Sequence, residues 1–357
     1  MTQEPANDCI QPTLVRPLDV PFAKRAVTAY SSGGTPYTRW VTFGMPQLGK
    51  YRYLLDSVFF LYPDRASAEA GVDAGGTGFF VSIPSVRPDK ANFVYAVTNW
   101  HVAPQGAPVV RVNTKSGPPD IFEFECHEWK WLANSHDIAA IPIKLDGKVH
   151  KAAALMIDSF ALQDAEIEKS EIDVGEDVFM LGRFMDYDGT EANVSSARFG
   201  HISMMECHVA QPNGYKGISR AVDMHARTGY SGSPVFAYRT AGSAFLEEGM
   251  FSMGHMLKLL GILWGSFPEE WKLIDTPKTP QKTGSAPPLT LDGKSVKGWS
   301  GMSLLCPAAA ILDTLNHPDL KAAREAANAL LEQVYPGAAE PMALSVGVPG
   351  AGSTEKL

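Results

Sequence analysis

Three short stretches carry side chains that could together attack a carbonyl carbon. Thr228-Gly229-Tyr230-Ser231-Gly232-Ser233-Pro234 sets a serine among glycines. A nucleophilic serine needs an exposed hydroxyl and nearby backbone N–H donors. Flanking glycines allow the tight turn and let a substrate carbonyl approach the backbone. The N–H groups of Gly229 and Ser231 would then form an oxyanion hole, where loss of one donor costs on the order of 100-fold in rate. In Ala96-Val97-Thr98-Asn99-Trp100-His101-Val102-Ala103 a strand runs straight into His101, which the strand can fix while leaving it free to reach a cleft. In Ser135-His136-Asp137-Ile138-Ala139-Ala140-Ile141-Pro142 a carboxylate precedes an apolar strand, where it can be partly buried and accept an imidazole Nδ1–H.

Each stretch also has an ordinary reading: a Gly/Ser turn, a packed or solvated histidine, a turn aspartate. The combination and its order, His then Asp then Ser, is more specific. In that assignment Ser231 attacks, His101 takes and returns the proton, and Asp137 holds the imidazole in the required tautomer. Such chemistry requires no metal and no organic cofactor.

The elements that must position these residues read as two sets of short strands. The first has candidates at 57–62, 77–83, 92–98, 108–113, 120–126 and 137–143, separated by turn residues at short intervals. A bridging segment spans about 145–172. The second set has candidates at 177–182, 197–205, 217–224, 234–238, 259–265 and 301–305. This pattern indicates an all-β protein of barrel or sandwich type. Residues 1–50, rich in Pro, Gly and polar side chains, read as an extended arm. Residues 266–300 are Pro-, Lys-, Thr- and Gly-rich and read as a long surface-loop insertion. Helices are expected at 307–315 and 319–334, followed by a Gly/Pro/Ala/Ser tail that reads as disordered. The helix at 319–334 could present a partner-binding face, although such helices more often dock their apolar stripe on their own domain.

The chain has 357 residues with 39 Asp and Glu against 31 Lys and Arg, a formal net charge of -8. That balance argues against a general binder of phosphate backbones, so no nucleic-acid partner is expected. The apolar stretch from Met250 to Phe267 is interrupted by His255, Lys258 and glycines, and no membrane association is expected. The N-terminus lacks a basic start followed by an apolar run, so the expected location is cytoplasmic. The four cysteines, Cys9, Cys126, Cys207 and Cys306, form no C-x-x-C pair and read as reduced thiols rather than two disulfides. Cys126-His127 and Cys207-His208 lack a closing ligand at a recognisable spacing, so no metal site is expected.

The stretches GTGFFVSI, YAVTNWHVA, HDIAAIPI, VGEDVFMLGR, ARFGHIS, TGYSGSP and GMSLLCP, in this order over about residues 55–315, resemble trypsin-like serine peptidases. The likeness is nearest in style to bacterial Deg/HtrA-type protease domains, but the segment after Cys306 is too short for a PDZ domain. The resemblance implies two six-stranded antiparallel barrels packed together, the first over 51–155 with His101 and Asp137 and the second over 156–316 with Ser231. A helix and tail, 317–357, would follow. It further implies that His225 sits at the base of the primary substrate pocket with Ala226 beside it, walled by Trp264, Gly265 and Gly301. No carboxylate lies at that base, so a strong Lys/Arg preference is not expected.

Two departures from the family pattern stand out. Tyr230 replaces the aspartate that pairs with a freed N-terminus in digestive enzymes. Leu263 replaces a serine that supports the triad aspartate, so that support must come from elsewhere. The expected activity is a serine endopeptidase acting on a protein or peptide. The alternatives are a silent trypsin-like module that holds a partner, and, less in keeping with the flanking strands, an esterase on another fold.

Overall fold

The structure is a computed structural model and describes residues 24–30, 36–42, 49–183, 189–239, 245–247, 250–251, 256–272 and 295–336. The chain divides into two compact units, Met1–Lys50 and Tyr51–Leu357. In the first unit, where the sequence suggests an extended arm, β1 (Lys24–Tyr30) and β2 (Pro36–Thr42) pair as an antiparallel hairpin. Residues 1–23 of that arm, with Cys9, and the tail from 337 lie outside the described residues.

The second unit opens with a sheet of β3 (Val58–Tyr62), β4 (Gly76–Pro84), β5 (Asn92–Thr98), β6 (Val109–Val112), β7 (Asp120–Phe122), β8 (Ala139–Pro142) and β9 (Leu155–Met156), with α1 (Arg65–Ala70) between β3 and β4. The strand order is β7-β6-β3-β4-β5-β8, with β9 running parallel to β4 off that path. The antiparallel arrangement is the one expected, with two differences. There are seven strands, and the ends β7 and β8 do not pair. Lys130 instead forms a bridge with Ala140, covering part of the free edge of β8. Phe59, Leu61, Phe80, Ala96, Val110 and Trp129 fill the core of this sheet.

Two short helices, α2 (Ile157–Phe160) and α3 (Asp164–Lys169), occupy the bridging segment. The second set comprises β10 (Asp177–Arg183), β11 (Ser195–Ala210), β12 (Lys216–Asp223), β13 (Pro234–Arg239), a small hairpin of β14 (Phe245–Glu247) and β15 (Met250–Phe251), β16 (Met256–Lys272) and β17 (Ser295–Pro307). Six of them close into a barrel in the order β10-β11-β12-β17-β16-β13. Alternation on β10 shows how the sequence sets the two faces. Val178 and Met180 enter the barrel core, whereas Phe179 points outward and stacks on Phe236 at 5.1 Å between ring centroids.

The surface loop expected over 266–300 is corrected by this barrel. β16 and β17 continue as a paired ribbon, with Glu269 opposite Gly298 and Lys272 opposite Ser295. Only 273–294 of that interval lies outside the described residues. The chain then turns into α4 (Ala309–Leu315) and α5 (Pro318–Val334), which buries Leu320 and Arg324. Among the described residues, no helix is long and apolar enough to cross a membrane.

Sheet and barrel are joined by polar contacts. At one edge Asn113 and Asn193 exchange a reciprocal pair of bonds, each 2.8 Å, and Asn193 Nδ2 donates to the Arg111 carbonyl at 2.6 Å. The Arg111 guanidinium, 1% exposed, donates to the carbonyls of Gly189 and Thr190. Asn193→Ala removes the side-chain half of this clamp and strands buried partners. A loss of about 1–3 kcal/mol is expected in denaturant unfolding, with the m-value unchanged.

Candidate active site

Strand register brings the first two candidate residues together. β5 and β8 are antiparallel neighbours, with Thr98 opposite Ala139. The end of β5 therefore meets the start of β8. His101 lies three residues beyond Thr98, and Asp137 lies two residues before Ala139. Past the strand, Val102 and Ala103 N–H groups both donate to the Asn99 carbonyl, forming a tight turn that carries His101 back over Asp137.

The contact is close on both carboxylate oxygens. His101 Nδ1 lies 2.5 Å from Asp137 Oδ2, and the His101 backbone N–H donates to Oδ1 at 2.9 Å. The Asp137 side chain is fully buried, while His101 remains one quarter exposed. An acceptor this deep holds the imidazole with its proton on Nδ1 and Nε2 free to accept. The backbone of Asp137 is also tied down. Its carbonyl accepts from Asn99 Nδ2 at 2.8 Å, and its N–H donates to Gln211 Oε1 at 2.7 Å.

Ser231 is held at the joint between sheet and barrel. The Thr77 N–H donates to the Ser231 carbonyl at 2.8 Å, and Thr77 Oγ1 donates to the Gly229 carbonyl at 2.7 Å. On its other side the serine loop is pinned to β16, because Gly232 N–H donates to Leu263 O and Leu263 N–H donates to Ser233 O. Two consecutive turns make the loop. Tyr230 N–H bonds Arg227 O and Ser233 N–H bonds Tyr230 O. The third residue of each is a glycine with positive φ, 90° at Gly229 and 87° at Gly232, as a type II turn requires. The turns leave the N–H groups of Gly229 and Ser231 without a partner among the described residues, so both remain available as donors. Ser231 is partly exposed, and no hydrogen bond links its hydroxyl to His101.

The remaining sequence candidates fall around β16 and β17. Gly265 and Gly301 border open space, and the Gly301 carbonyl accepts from the Met224 N–H, which sets Gly301 beside the 224–226 segment. His225 is exposed, and its carbonyl accepts from Arg198 at 3.0 Å. Ala226 turns into the barrel core. Trp264 is buried and donates to Ser219 Oγ at 3.3 Å. Tyr230, fully buried, meets Ser196 at 2.7 Å and Arg198 at 2.9 Å through its hydroxyl. Leu263 packs in the barrel core. Cys126, Cys207 and Cys306 are unpaired, and no cluster of metal-ligand residues occurs among the described residues.

Sequence reasoning missed Gln211, Asn99 and Thr77. Gln211 sits in a Gln-Pro-Asn-Gly turn, whose composition signals only a turn.

Residues 76–242 match the family described as trypsin-like peptidase domain. Over this span the chain is similar to trypsin-like peptidase domains. The match takes in His101, Asp137 and Ser231 together. No curated protein matches the chain. Among solved structures, it is similar to the MamO protease domain from Magnetospirillum magneticum in its apo form, with 16% identity and a TM-score of 0.41 over 74% of this chain and 97% of that one. It is also similar to the inactive form of a mutant of Rv3671c from M. tuberculosis H37Rv, with 16% identity and a TM-score of 0.38 over 76% of this chain and 94% of that one.

A Cβ on Gly232 would overlap the Thr77 carbonyl and Thr98 Oγ1. Gly232→Ala should therefore displace the serine loop. The positive φ alone costs about 1–3 kcal/mol, visible as a lower melting temperature.

Proposed function

We propose that the peptidase domain is a serine endopeptidase that cleaves peptide bonds through an acyl-enzyme on Ser231. The observation that carries this reading is the fully buried Asp137 carboxylate 2.5 Å from His101 Nδ1. A buried carboxylate leaves Nε2 as the basic atom of the ring and stabilises the imidazolium formed when Ser231 gives up its proton. Gly229 and Ser231 N–H groups would receive the oxyanion, and His101 would return the proton to the leaving amine. No step calls for a metal or an organic cofactor. The open borders at Gly265 and Gly301 suit a substrate side chain of some size beside Ala226. With His225 exposed and no carboxylate among the five pocket candidates, a strong preference for Lys or Arg is not part of the proposal.

A second reading has one observation in its favour. Ser231 is not hydrogen-bonded to His101, as would be the case in a silent module that uses its groove to hold a protein partner. Apo catalytic sites are often equally loose and tighten only with substrate, so the first reading is preferred.

The deciding experiment is labelling of the full chain with a fluorophosphonate, which reacts with a serine activated by its base. Label should map to Ser231 and vanish in Ser231→Ala and His101→Ala. Asp137→Asn should slow labelling on the order of 10³–10⁴-fold, since it favours the wrong tautomer. A folded wild-type protein that takes no label, and cleaves no unfolded casein, would favour the binding module.

A further inference from the structure

Gln211 belongs to the barrel, just past the end of β11, yet its amide reaches the sheet. It is 3% exposed. Its Oε1 accepts from the Asp137 backbone N–H at 2.7 Å and from the Cys306 thiol at 3.4 Å. Its Nε2 lies 3.0 Å from His136 Nδ1. The amide orientation is dictated by chemistry. A peptide N–H can only donate, so the Gln211 atom facing it must be oxygen. The NH2 end can only donate, so His136 Nδ1 must accept. An accepting Nδ1 belongs to a neutral imidazole with its proton on Nε2.

Protonation of His136 breaks this chain. A proton on Nδ1 would set N–H against NH2. Rotating the amide would instead set NH2 against the Asp137 N–H. Either arrangement leaves a buried donor unpaired, an effect on the order of tenfold or more in an equilibrium.

We propose that Gln211 is the positioning residue of Asp137, and that it holds the aspartate only while His136 is neutral. The proposal rests on the reading of His101, Asp137 and Ser231 as a triad. Gln211 supplies, from the backbone side, the support that the sequence shows to be missing at Leu263.

The surroundings of His136 fit this role. Its ring meets Tyr215 edge-on at 5.1 Å and borders an open cavity of about 630 Å³. Facing it there are Asp164, Glu168, Glu171 and Asp173 from α3 and the turn after it, Glu206 from β11 and Asp313 from α4. Arg220 from β12 stands among them, with its guanidinium bonded to Leu260 O at 2.8 Å and 3.7 Å from Asp164. Asp137 and Cys306 lie behind Gln211. Burial holds the His136 pKa below its ordinary value of 6.5, and Asp313 pulls it partly back. The folded state thus prefers the neutral ring. That preference is fully present above the unfolded value and is lost as pH falls through the folded one.

The test uses the full chain, with His136→Asn and Gln211→Leu. Asparagine keeps an acceptor oxygen in place of Nδ1 but cannot titrate. Fluorophosphonate labelling rates are measured from about pH 5 to pH 8, the range in which histidines titrate. The wild type should lose on the order of tenfold more rate on the acid side than His136→Asn does. Gln211→Leu should label on the order of tenfold more slowly at neutral pH and show the smaller acid-side loss as well. Histidine ring NMR provides a readout independent of catalysis. It should show His136 as the Nε2–H tautomer at neutral pH, and the His101 Nδ1–H signal should shift as His136 titrates. In His136→Asn that shift should vanish. Identical acid limbs in wild type and His136→Asn, or a His101 signal blind to His136, would overturn the proposal. If the wild type takes no label, the triad reading fails and the NMR result alone decides the role of Gln211. If Gln211→Leu does not fold, the His136→Asn comparison decides it.

Discussion

A carboxylate with no access to water must be matched by donors, and Asp137 is such a group. Desolvating a charge costs several kcal/mol, which only close and well-directed partners can offset. His101 supplies two of them, one from its backbone and one from its ring. This requirement fixes much of what surrounds it. Strands β5 and β8 must be neighbours in a register that brings the end of one to the start of the other. The turn after β5 must curl back at Asn99. The peptide groups on both sides of the carboxylate must be held, and Asn99 and Gln211 hold them.

The serine obeys a different constraint. Its loop is part of the barrel, tied to β16 by paired backbone bonds around Leu263, and it meets the sheet at Thr77 and at close-packed glycines. Gly76 lies between Val102 and the Ser231 carbonyl, and Gly232 lies against Thr77 and Thr98. Larger residues at either place would wedge the halves apart. The Arg111 and Asn193 clamp acts at another edge of the joint, where a buried guanidinium donates to carbonyls. The joint thus includes directional contacts with little tolerance.

Much of this was legible in the sequence, for identifiable reasons. Strand β5 was read to the residue because Asn92–Thr98 is bounded by turn residues and rich in β-branched and aromatic side chains. His101, Asp137 and Ser231 stand out in the sequence because each lies near a strand end with unusual neighbours. The ribbon made by β16 and β17 was not. Beyond Gly265 its composition is that of a loop, and it holds strand pairing through backbone bonds that need no apolar pattern. The open edge of the first sheet also escaped, since closure depends on whether β7 and β8 can meet, and no local signal reports that. Gln211 was invisible because its role comes from a contact spanning 74 positions in the chain.

On the proposed reading, base and nucleophile are therefore positioned by separate elements. The first sheet sets His101 through Asp137, and the barrel sets Ser231 through Leu263. Neither element alone determines the distance between hydroxyl and imidazole, so that distance is a property of the joint. Gln211 is significant in this respect because it is anchored in the barrel and bonds the peptide of the sheet's aspartate. It links the barrel that carries Ser231 to Asp137, which holds the His101 ring. If the proposed triad operates, a change at this single amide would act on its geometry without touching any reacting atom.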